Sequence, residues 1–163
     1  MQQAIPLAAA VAAESMQAEL GGLTPLATFR GLLIFSADAS DIPSTMQEIG
    51  RIREAVFRQA GAGRNLPRDL DDLDYTAPAY QQLLVWDPER LQLVAMYRYQ
   101  LGWLAADAGL HILRTSQLFR YSEAFRAQVL PYAIELGRSA VNPAAATVNV
   151  PFVAAVPLNV TYA

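Results

Sequence analysis

The sequence predicts an α+β domain, and two patterns carry that prediction. Residues 41–60 place apolar side chains at helical spacing, and Gly61 ends the pattern. Residues 82–86 and 93–101 read as two strands joined by the turn Asp87-Pro88-Glu89-Arg90. Because strands and helices do not alternate regularly along the chain, the order favours α+β over a repeated strand-helix-strand fold.

Turn and capping residues predict the other elements of the N-terminal half. A helix is expected from Ala8 to Leu20, closed by Gly21-Gly22. A first strand is expected from Thr28 to Phe35, with Gly31 as its weak point. Capping boxes for the helix of residues 41–60 are offered by two pairs, Ser44 with Gln47 and Thr45 with Glu48.

The C-terminal half alternates between polar loops and short apolar runs. Residues 64–79 are expected as an aspartate-rich loop, and residues 110–114, which contain His111, as a strand. Residues 122–128 are predicted as a short helix and residues 132–141 as a strand. The predicted organisation is an N-terminal arm or helix (1–26), one domain (27–142) and an apolar tail (143–163) that forms an edge strand or is disordered.

Composition excludes several classes of function. The 163 residues carry a net charge of −3, whereas a surface that binds nucleic acid needs a basic field. The chain has no cysteine, so neither disulfides nor thiolate metal sites can form. Prolines in the uncharged tail argue against a membrane helix there, and the apolar start lacks the basic residues of a secretory signal.

One arginine lies on the apolar face of the predicted helix. At about 100° per residue, Arg53 falls between Ile49 and Phe57, while Arg51, Glu54 and Arg58 lie outside that arc, as solvent-facing charges should. A buried arginine keeps its proton and needs a carboxylate beside it. Arg53 therefore either reaches past the core edge into water or pairs with acids.

Candidate acids follow in the loop, at Asp69, Asp71, Asp72 and Asp74. They form either a solvated turn or a loop whose Asp71 and Asp74 fold back onto arginines. Arg98 raises the same question, because alternation places Val94, Met96, Arg98 and Gln100 on one face of a strand, and either face of that strand could be the covered one.

A glycine interrupts the last predicted strand between two charges, in Glu135-Leu136-Gly137-Arg138. Strict alternation would place Glu135 and Arg138 on opposite faces. Gly137 permits a β-bulge, which would re-aim one side chain and free a backbone N–H. The alternative is a polar edge strand with a charge pair of little consequence.

Taken in order, Arg53-x-x-x-Phe57, Asp71-x-x-Asp74, Tyr97-Arg98 and Glu135-x-x-Arg138 resemble the signature of the autoinducer (acyl-homoserine-lactone) synthases. They are still more similar to the ornithine- or glycine-lipid N-acyltransferases often labelled hemolysins. The resemblance covers residues 49–142. It implies an acetyltransferase-like (GNAT) fold with a mixed, mostly antiparallel sheet flanked by helices.

The resemblance also implies the chemistry. The donor is an acyl-carrier-protein or coenzyme A thioester, used as a co-substrate with no permanently bound cofactor, and the acceptor is a small amine. Glu135 is implied as the general base, and a backbone N–H at Gly137 or Arg138 as the oxyanion donor. Arg53, Phe57, Asp71, Asp74, Arg98 and Arg138 are implied as the substrate-binding or ion-pair framework.

The tail departs from the family pattern, since Ala140-Val141-Asn142-Pro143 and an apolar segment replace a basic stretch, a helix and further strands. The second half of the acyl cleft is expected to be missing or replaced by the tail. The competing hypothesis is therefore an inactive binding module of the same fold. A cytoplasmic location is expected, and contact with the inner face of the membrane and a homodimer stay open.

Overall fold

The two predicted core patterns form the centre of the protein in a computed structural model, which describes residues 4–145. Five strands form one antiparallel sheet in the order β1-β2-β3-β4-β5. The strands are β1 (Ala27–Phe29), β2 (Leu32–Ala37), β3 (Gln81–Asp87), β4 (Gln92–Leu101) and β5 (Ile134–Val141). The helices are α1 (Ala13–Gly21), α2 (Pro43–Gln59), α3 (Gly102–Ala108) and α4 (Glu123–Gln128). This is the α+β architecture that the sequence predicts.

The main core lies between the sheet and helices α1 and α2. Its buried members come from the inward face of each element, and Ile42, Met46 and Ile49 at the start of α2 are fully buried. Met96 of β4 and Ala140 of β5 close the core from the sheet side. Helix α2 therefore lies across the strands that carry Arg98 and Glu135, which places its residue Arg53 close to them.

The predicted first strand is wrong as a single element. Arg30 and Gly31 both adopt positive φ, 50° and 81°, and turn the chain back on itself. Residues 27–29 and 32–37 consequently pair with each other as β1 and β2. Gly31, expected as a weak point, is where the strand ends, because positive φ favours glycine.

Helix α2 is capped by another helix rather than by its own side chains. Neither predicted capping box forms; instead the Glu19 carboxylate of α1 accepts from the backbone N–H groups of Ser44 at 2.6 Å and Thr45 at 2.8 Å. Those bonds outweigh the effect of burial and lower the pKa of Glu19. A carboxylate at a helix N-terminus also suits the helix dipole.

Residues 102–133 form an insertion between β4 and β5 with its own small core. Ala105, Ile112, Leu113 and Leu130 are its buried members. The strand expected at residues 110–114 is wrong, since Leu110–Ile112 form a 3₁₀ turn with His111 exposed, and helix α3 was not predicted. The predicted helix at residues 122–128 is confirmed, with Ser122 accepting from the Phe125 N–H at 3.1 Å.

Two other expectations concern the ends of the chain. The N-terminal helix begins at Ala13 rather than Ala8. Residues Pro143–Ala145 form a 3₁₀ turn, and the rest of the predicted tail lies outside the described residues. Among residues 4–145, no helix has the length and apolarity needed to cross a bilayer.

Candidate active site

The aspartate-rich loop has a fixed geometry because its two key acids cap one turn. Asp71 accepts from the Leu73 N–H and Asp74 accepts from the Asp71 N–H, both at 3.1 Å, which is a capping box around the 3₁₀ turn Asp72–Asp74. The three-residue spacing of the two aspartates is therefore explained locally. Both carboxylates keep oxygen atoms for other partners.

The loop lies directly against α2 at a glycine. The Asp69 N–H donates to the Gly50 carbonyl at 2.8 Å. A Cβ at position 50 would come within 2.6 Å of Leu70 Cγ and 3.0 Å of Arg68 Cβ, so only glycine allows this approach. The loop is consequently held one turn from Arg53.

Arg53 is fully buried and paired, so of its two alternatives it takes the pairing with an acid. Its Nη1 donates to Asp74 Oδ1 at 3.0 Å and its Nη2 to Gln82 Oε1 at 2.8 Å. Gln82 in turn donates to Asp74 Oδ1 at 3.2 Å, so one buried triangle of bonds joins α2, the loop and β3. Of the two alternatives for the loop, the structure shows the one in which Asp74 folds back onto an arginine.

Arg98 and Arg138 complete what we call the arginine–aspartate cluster, which comprises Arg53, Arg98, Arg138, Asp69, Asp71 and Asp74. Arg98 Nη1 lies 2.6 Å from Asp71 Oδ1 and 3.1 Å from Asp74 Oδ2. Arg138 Nη1 lies 2.9 Å from Asp69 Oδ2, and its guanidinium lies 5.5 Å from the centre of the Phe57 ring. Three arginines thus face three aspartates, and Arg64 lies 3.5 Å from Asp69 at the edge of the cluster.

Protonation in the cluster follows from these contacts. Burial alone would raise the pKa of Asp71, but the hydrogen bond and charge of Arg98 and the charge of Arg138 outweigh it and lower the pKa. Burial opposes the charge on Arg98, yet Asp71 and Asp74 raise its pKa. Asp71 and Arg98 are therefore ionised together at neutral pH.

Strand β5 contains the β-bulge that Gly137 permits, and this bulge changes the direction of the Arg138 side chain. Met96 pairs with Ala140 and Arg98 pairs with Gly137, so two steps on β4 match three on β5. Within this bulge, Arg138 adopts a positive φ of 53°. Its side chain consequently reaches the aspartate loop from the face on which Arg98 lies.

Glu135 lies half-buried on the same strand, and four donors surround its carboxylate. The N–H groups of Arg114 and Thr115 donate to it at 2.8 and 3.0 Å, and the hydroxyl groups of Tyr80 and Thr115 also donate. Each oxygen accepts two hydrogen bonds. We call this arrangement the Glu135 network; it attaches the insertion to the sheet.

Tyr80 joins the Glu135 network to the cluster. Its side chain is buried, and its ring centre lies 4.7 Å from the Arg98 guanidinium carbon. Burial and the hydrogen bond to Glu135 raise the pKa of the Tyr80 phenol, so it stays a donor at neutral pH. Tyr80 was not predicted as a site residue, because the sequence around it carries no motif.

A cleft of about 730 Å³ opens on one side of the site, where Asp74 of the cluster forms part of its wall and Glu135, Tyr80 and Arg138 do not. It lies at the ends of β2, β3 and β4, and its walls include Asp38, Gln47, Tyr99 and Leu104. Gln100 also lines it and pairs with Glu135 across the two strands. Both polar and apolar walls are thus available next to the strand pair that holds Glu135, and the volume is in the range of small-molecule sites.

The structure brings the predicted framework residues together, and it corrects the expected position of Glu54, the residue next to Arg53. Glu54, expected in solvent, is buried and accepts from the N–H groups of Arg64 and Leu66 and from Arg58. Gln82 and Thr115 belong to the site but were not predicted from the sequence, because they join it through contacts between distant segments of the chain. Asp69, one of the four candidate acids, pairs with Arg138. Within residues 4–145, no group of three or more His, Asp or Glu side chains could hold a metal ion.

Comparison with known proteins places the chain. A model of the acetyltransferase (GNAT) domain matches residues 52–152. A protein of Bacteroides thetaiotaomicron named glycine N(alpha)-acyltransferase is 44% identical over 108 residues, which are 65% of this chain and 32% of the relative. A Phocaeicola vulgatus protein of the same name is 42% identical over 108 residues, 65% of this chain and 33% of the relative.

The chain spans about a third of the length of these two curated relatives. No solved structure matches it. The family match covers more than half of the chain, including Arg53, the aspartate loop, Arg98 and the bulged strand. The chain therefore belongs to the acetyltransferase (GNAT) domain family.

Proposed function

We propose that this domain belongs to an N-acyltransferase that moves a fatty acyl group from a thioester to the amine of a small amino acid. The observation that carries the proposal is the bulged strand β5, which presents Glu135 and Arg138 on one face beside the buried arginine–aspartate cluster. The relatives named glycine N(alpha)-acyltransferase support glycine as the first acceptor to test. Ornithine is the second, and homoserine-lactone synthesis is less favoured.

The proposed reaction forms one bond and breaks one. The amine nitrogen attacks the thioester carbonyl carbon, the C–N bond forms, and the C–S bond breaks as the thiol leaves with a proton. Glu135 takes the proton from the attacking amine, directly or through water. A backbone N–H at Gly137 or Arg138 donates to the carbonyl oxygen as negative charge develops there.

The acceptor's carboxylate would be held by the arginines. Arg138 keeps a partly exposed guanidinium, whereas Arg53 is fully buried. Arg98 Nε is buried with no acceptor among the described residues, and it lies 3.9 Å from the position of a Cβ on Gly137. These donors support binding of an anionic group over Gly137, with Phe57, Asp71 and Asp74 fixing the arginines.

The donor is acyl-coenzyme A or an acylated carrier protein, used as a co-substrate. Such thioesters are found in the cytoplasm, and we therefore propose a cytoplasmic location for the enzyme. Because the product carries an apolar acyl chain, we propose that the enzyme acts at the inner face of the membrane.

The test supplies purified protein with palmitoyl-coenzyme A or palmitoylated carrier protein, plus glycine or ornithine. Thiol release is read with a thiol reagent, which has no background from this chain because it contains no cysteine. Amine-dependent release and an N-acyl product by mass are the expected results. Release without amine dependence, or none from folded protein, contradicts the proposal.

Replacing the base gives the first prediction. Glu135→Gln is expected to lower amine-dependent release by about 100-fold or more, in the range that a general base contributes. The amide would present a donor where the carboxylate accepts backbone N–H groups, so a stability loss of about 1–3 kcal/mol is expected with the fold retained. Glu123→Gln, on the exposed surface of α4, is the matched control.

One observation favours the second candidate, an inactive binding module of the same fold. All four acceptor positions of Glu135 are filled by protein donors, so a substrate proton reaches it only when one donor moves away. Thr115, which is partly exposed, is the donor that substrate can replace. A protein that folds normally but releases no thiol from any thioester would support the inactive binding module.

A further inference from the structure

The hydroxyl group of Tyr80 contacts the two chemically important parts of the site at once. It donates to Glu135 and accepts from the Arg114 N–H at 2.8 Å. The face of its ring packs against Arg98, which is held by Asp71 and Asp74. Tyr80 is thus the side chain through which the arginine–aspartate cluster and the Glu135 carboxylate touch.

The backbone of Tyr80 is fixed as firmly as its side chain. Its N–H donates to the Leu73 carbonyl at 2.9 Å, inside the capped aspartate turn, and its carbonyl accepts from Gln82 at 3.2 Å. With 1% of its surface exposed, Tyr80 does not reach a substrate. A residue in this position acts on the reaction only through its neighbours.

We propose that Tyr80 is a positioning residue, which holds the Glu135 carboxylate at a fixed place relative to Arg98 and Arg138. This rests on the proposed acyl transfer and adds a residue to it. The ionisable groups that face the network are Arg98 beneath the ring, Tyr121 beyond Thr115, and Arg114, whose backbone N–H lies between Tyr80 and Glu135.

Tyr80→Phe isolates the hydroxyl group. The ring and its contact with Arg98 stay, and the Arg114 N–H keeps Glu135 as an acceptor, so no buried backbone donor loses all its partners. The expected result is a kcat lowered by about 10-fold with KM for the thioester within twofold, because a loosely held base loses orientation rather than substrate binding. Tyr132→Phe, at a tyrosine that is 87% exposed, is the control.

Combining Tyr80→Phe with Glu135→Gln distinguishes a loss of Glu135 positioning from a general disturbance of the structure. In a Glu135→Gln background, Tyr80→Phe is expected to leave the residual rate unchanged, because the group that it positions is gone. A kcat within twofold of wild type for Tyr80→Phe overturns the proposal. An equal fall in rate with and without Glu135 also overturns it.

A readout without turnover distinguishes failure of this inference from failure of the proposed function. In protein labelled with ¹³C at the glutamate carboxyl carbons, the Glu135 signal is assigned as the one that Glu135→Gln removes. Tyr80→Phe is expected to move that signal and leave the signal of Glu123 in place. An unmoved Glu135 signal overturns the positioning role, even if wild type transfers acyl groups. A moved signal in a protein without transfer activity sustains the contact and rejects the acyl transfer.

Discussion

Arg53 shows what one buried charge contributes when its partner is also buried. Its guanidinium and the Asp74 carboxylate are both at least 99% covered, and Gln82 bonds to each. Arg53→Ala would leave Asp74 with fewer donors in a place that water does not reach. We expect a loss of about 3–5 kcal/mol in the free energy of unfolding, measured by urea denaturation.

Arg51 is the control for that experiment, because it lies two residues away on the same helix. It pairs with Glu48, and its side chain is 23% exposed. Arg51→Ala is expected to cost less than about 1 kcal/mol, since partly exposed pairs contribute little. Similar losses for the two variants would contradict the assignment of Arg53 to a buried pair.

At the scale of elements, the contact between α2 and the aspartate loop depends on Gly50. Alanine in a helix interior normally gains about 1 kcal/mol over glycine. Here its methyl group would overlap Leu70, so we expect Gly50→Ala to destabilise the protein by about 1–3 kcal/mol and to displace the loop. Urea denaturation measures the first effect, and amide hydrogen exchange at residues 69–74 the second.

Gly21 offers the same substitution without the crowding. It lies in the last turn of α1, and an added Cβ would meet nothing within 4 Å. Gly21→Ala is expected to be neutral or to stabilise by up to about 1 kcal/mol. A stabilising Gly50→Ala would mean that the loop does not approach the helix as closely as described.

Helices and strands whose own residues show a clear hydrophobic periodicity were predictable from the sequence. Elements whose structure depends on contacts with residues far along the chain were not. The hairpin of β3 and β4 and helix α2 carry their own periodicity. Residues 110–114 read as a strand because they are apolar, yet the core of the insertion holds them as a 3₁₀ turn. The α2 cap was missed for the same reason, since Glu19 lies 25 residues before Ser44.

The residues of the candidate site also fall into those that a local sequence pattern showed and those that only contacts in the folded protein show. Arg53 was visible because a charge on an apolar helix face is a local pattern. Asp71 and Asp74 were visible because they stand among four acids in six residues. Tyr80 and Thr115 were not visible, because they join the site through contacts with Glu135 that span 55 and 20 residues. Glu54 was placed in solvent because helical geometry does not show that the loop of residues 64–66 covers it.

The whole molecule has a predictable response to acid. The pKa values of Glu19, Glu54, Asp71 and Asp87 are lowered, because hydrogen bonds and arginines outweigh the effect of burial. The unfolded chain therefore binds more protons than the folded protein as the pH falls from about 5 towards 3. Stability is expected to be full above that range and to decrease through it, measured as the urea midpoint at each pH.

Asp71→Asn is expected to make that decrease shallower, because one of the lowered pKa values is removed. Asp72→Asn is the matched control, since Asp72 is the exposed neighbour in the same turn. A slope unchanged by Asp71→Asn, or changed equally by both variants, would show that the cluster does not contribute to acid sensitivity.

The Glu135 network has a consequence for how the protein opens. Residues 102–133 have a core of their own, and the Glu135 carboxylate is bound to Arg114 and Thr115 within them. Such a segment is suited to unfold as a separate cooperative unit while the sheet stays intact. If Glu135 is the base, the donors that secure this unit also compete with the substrate proton. Changes that tighten the insertion would then slow turnover, and selection would have to balance local stability against rate at this one carboxylate.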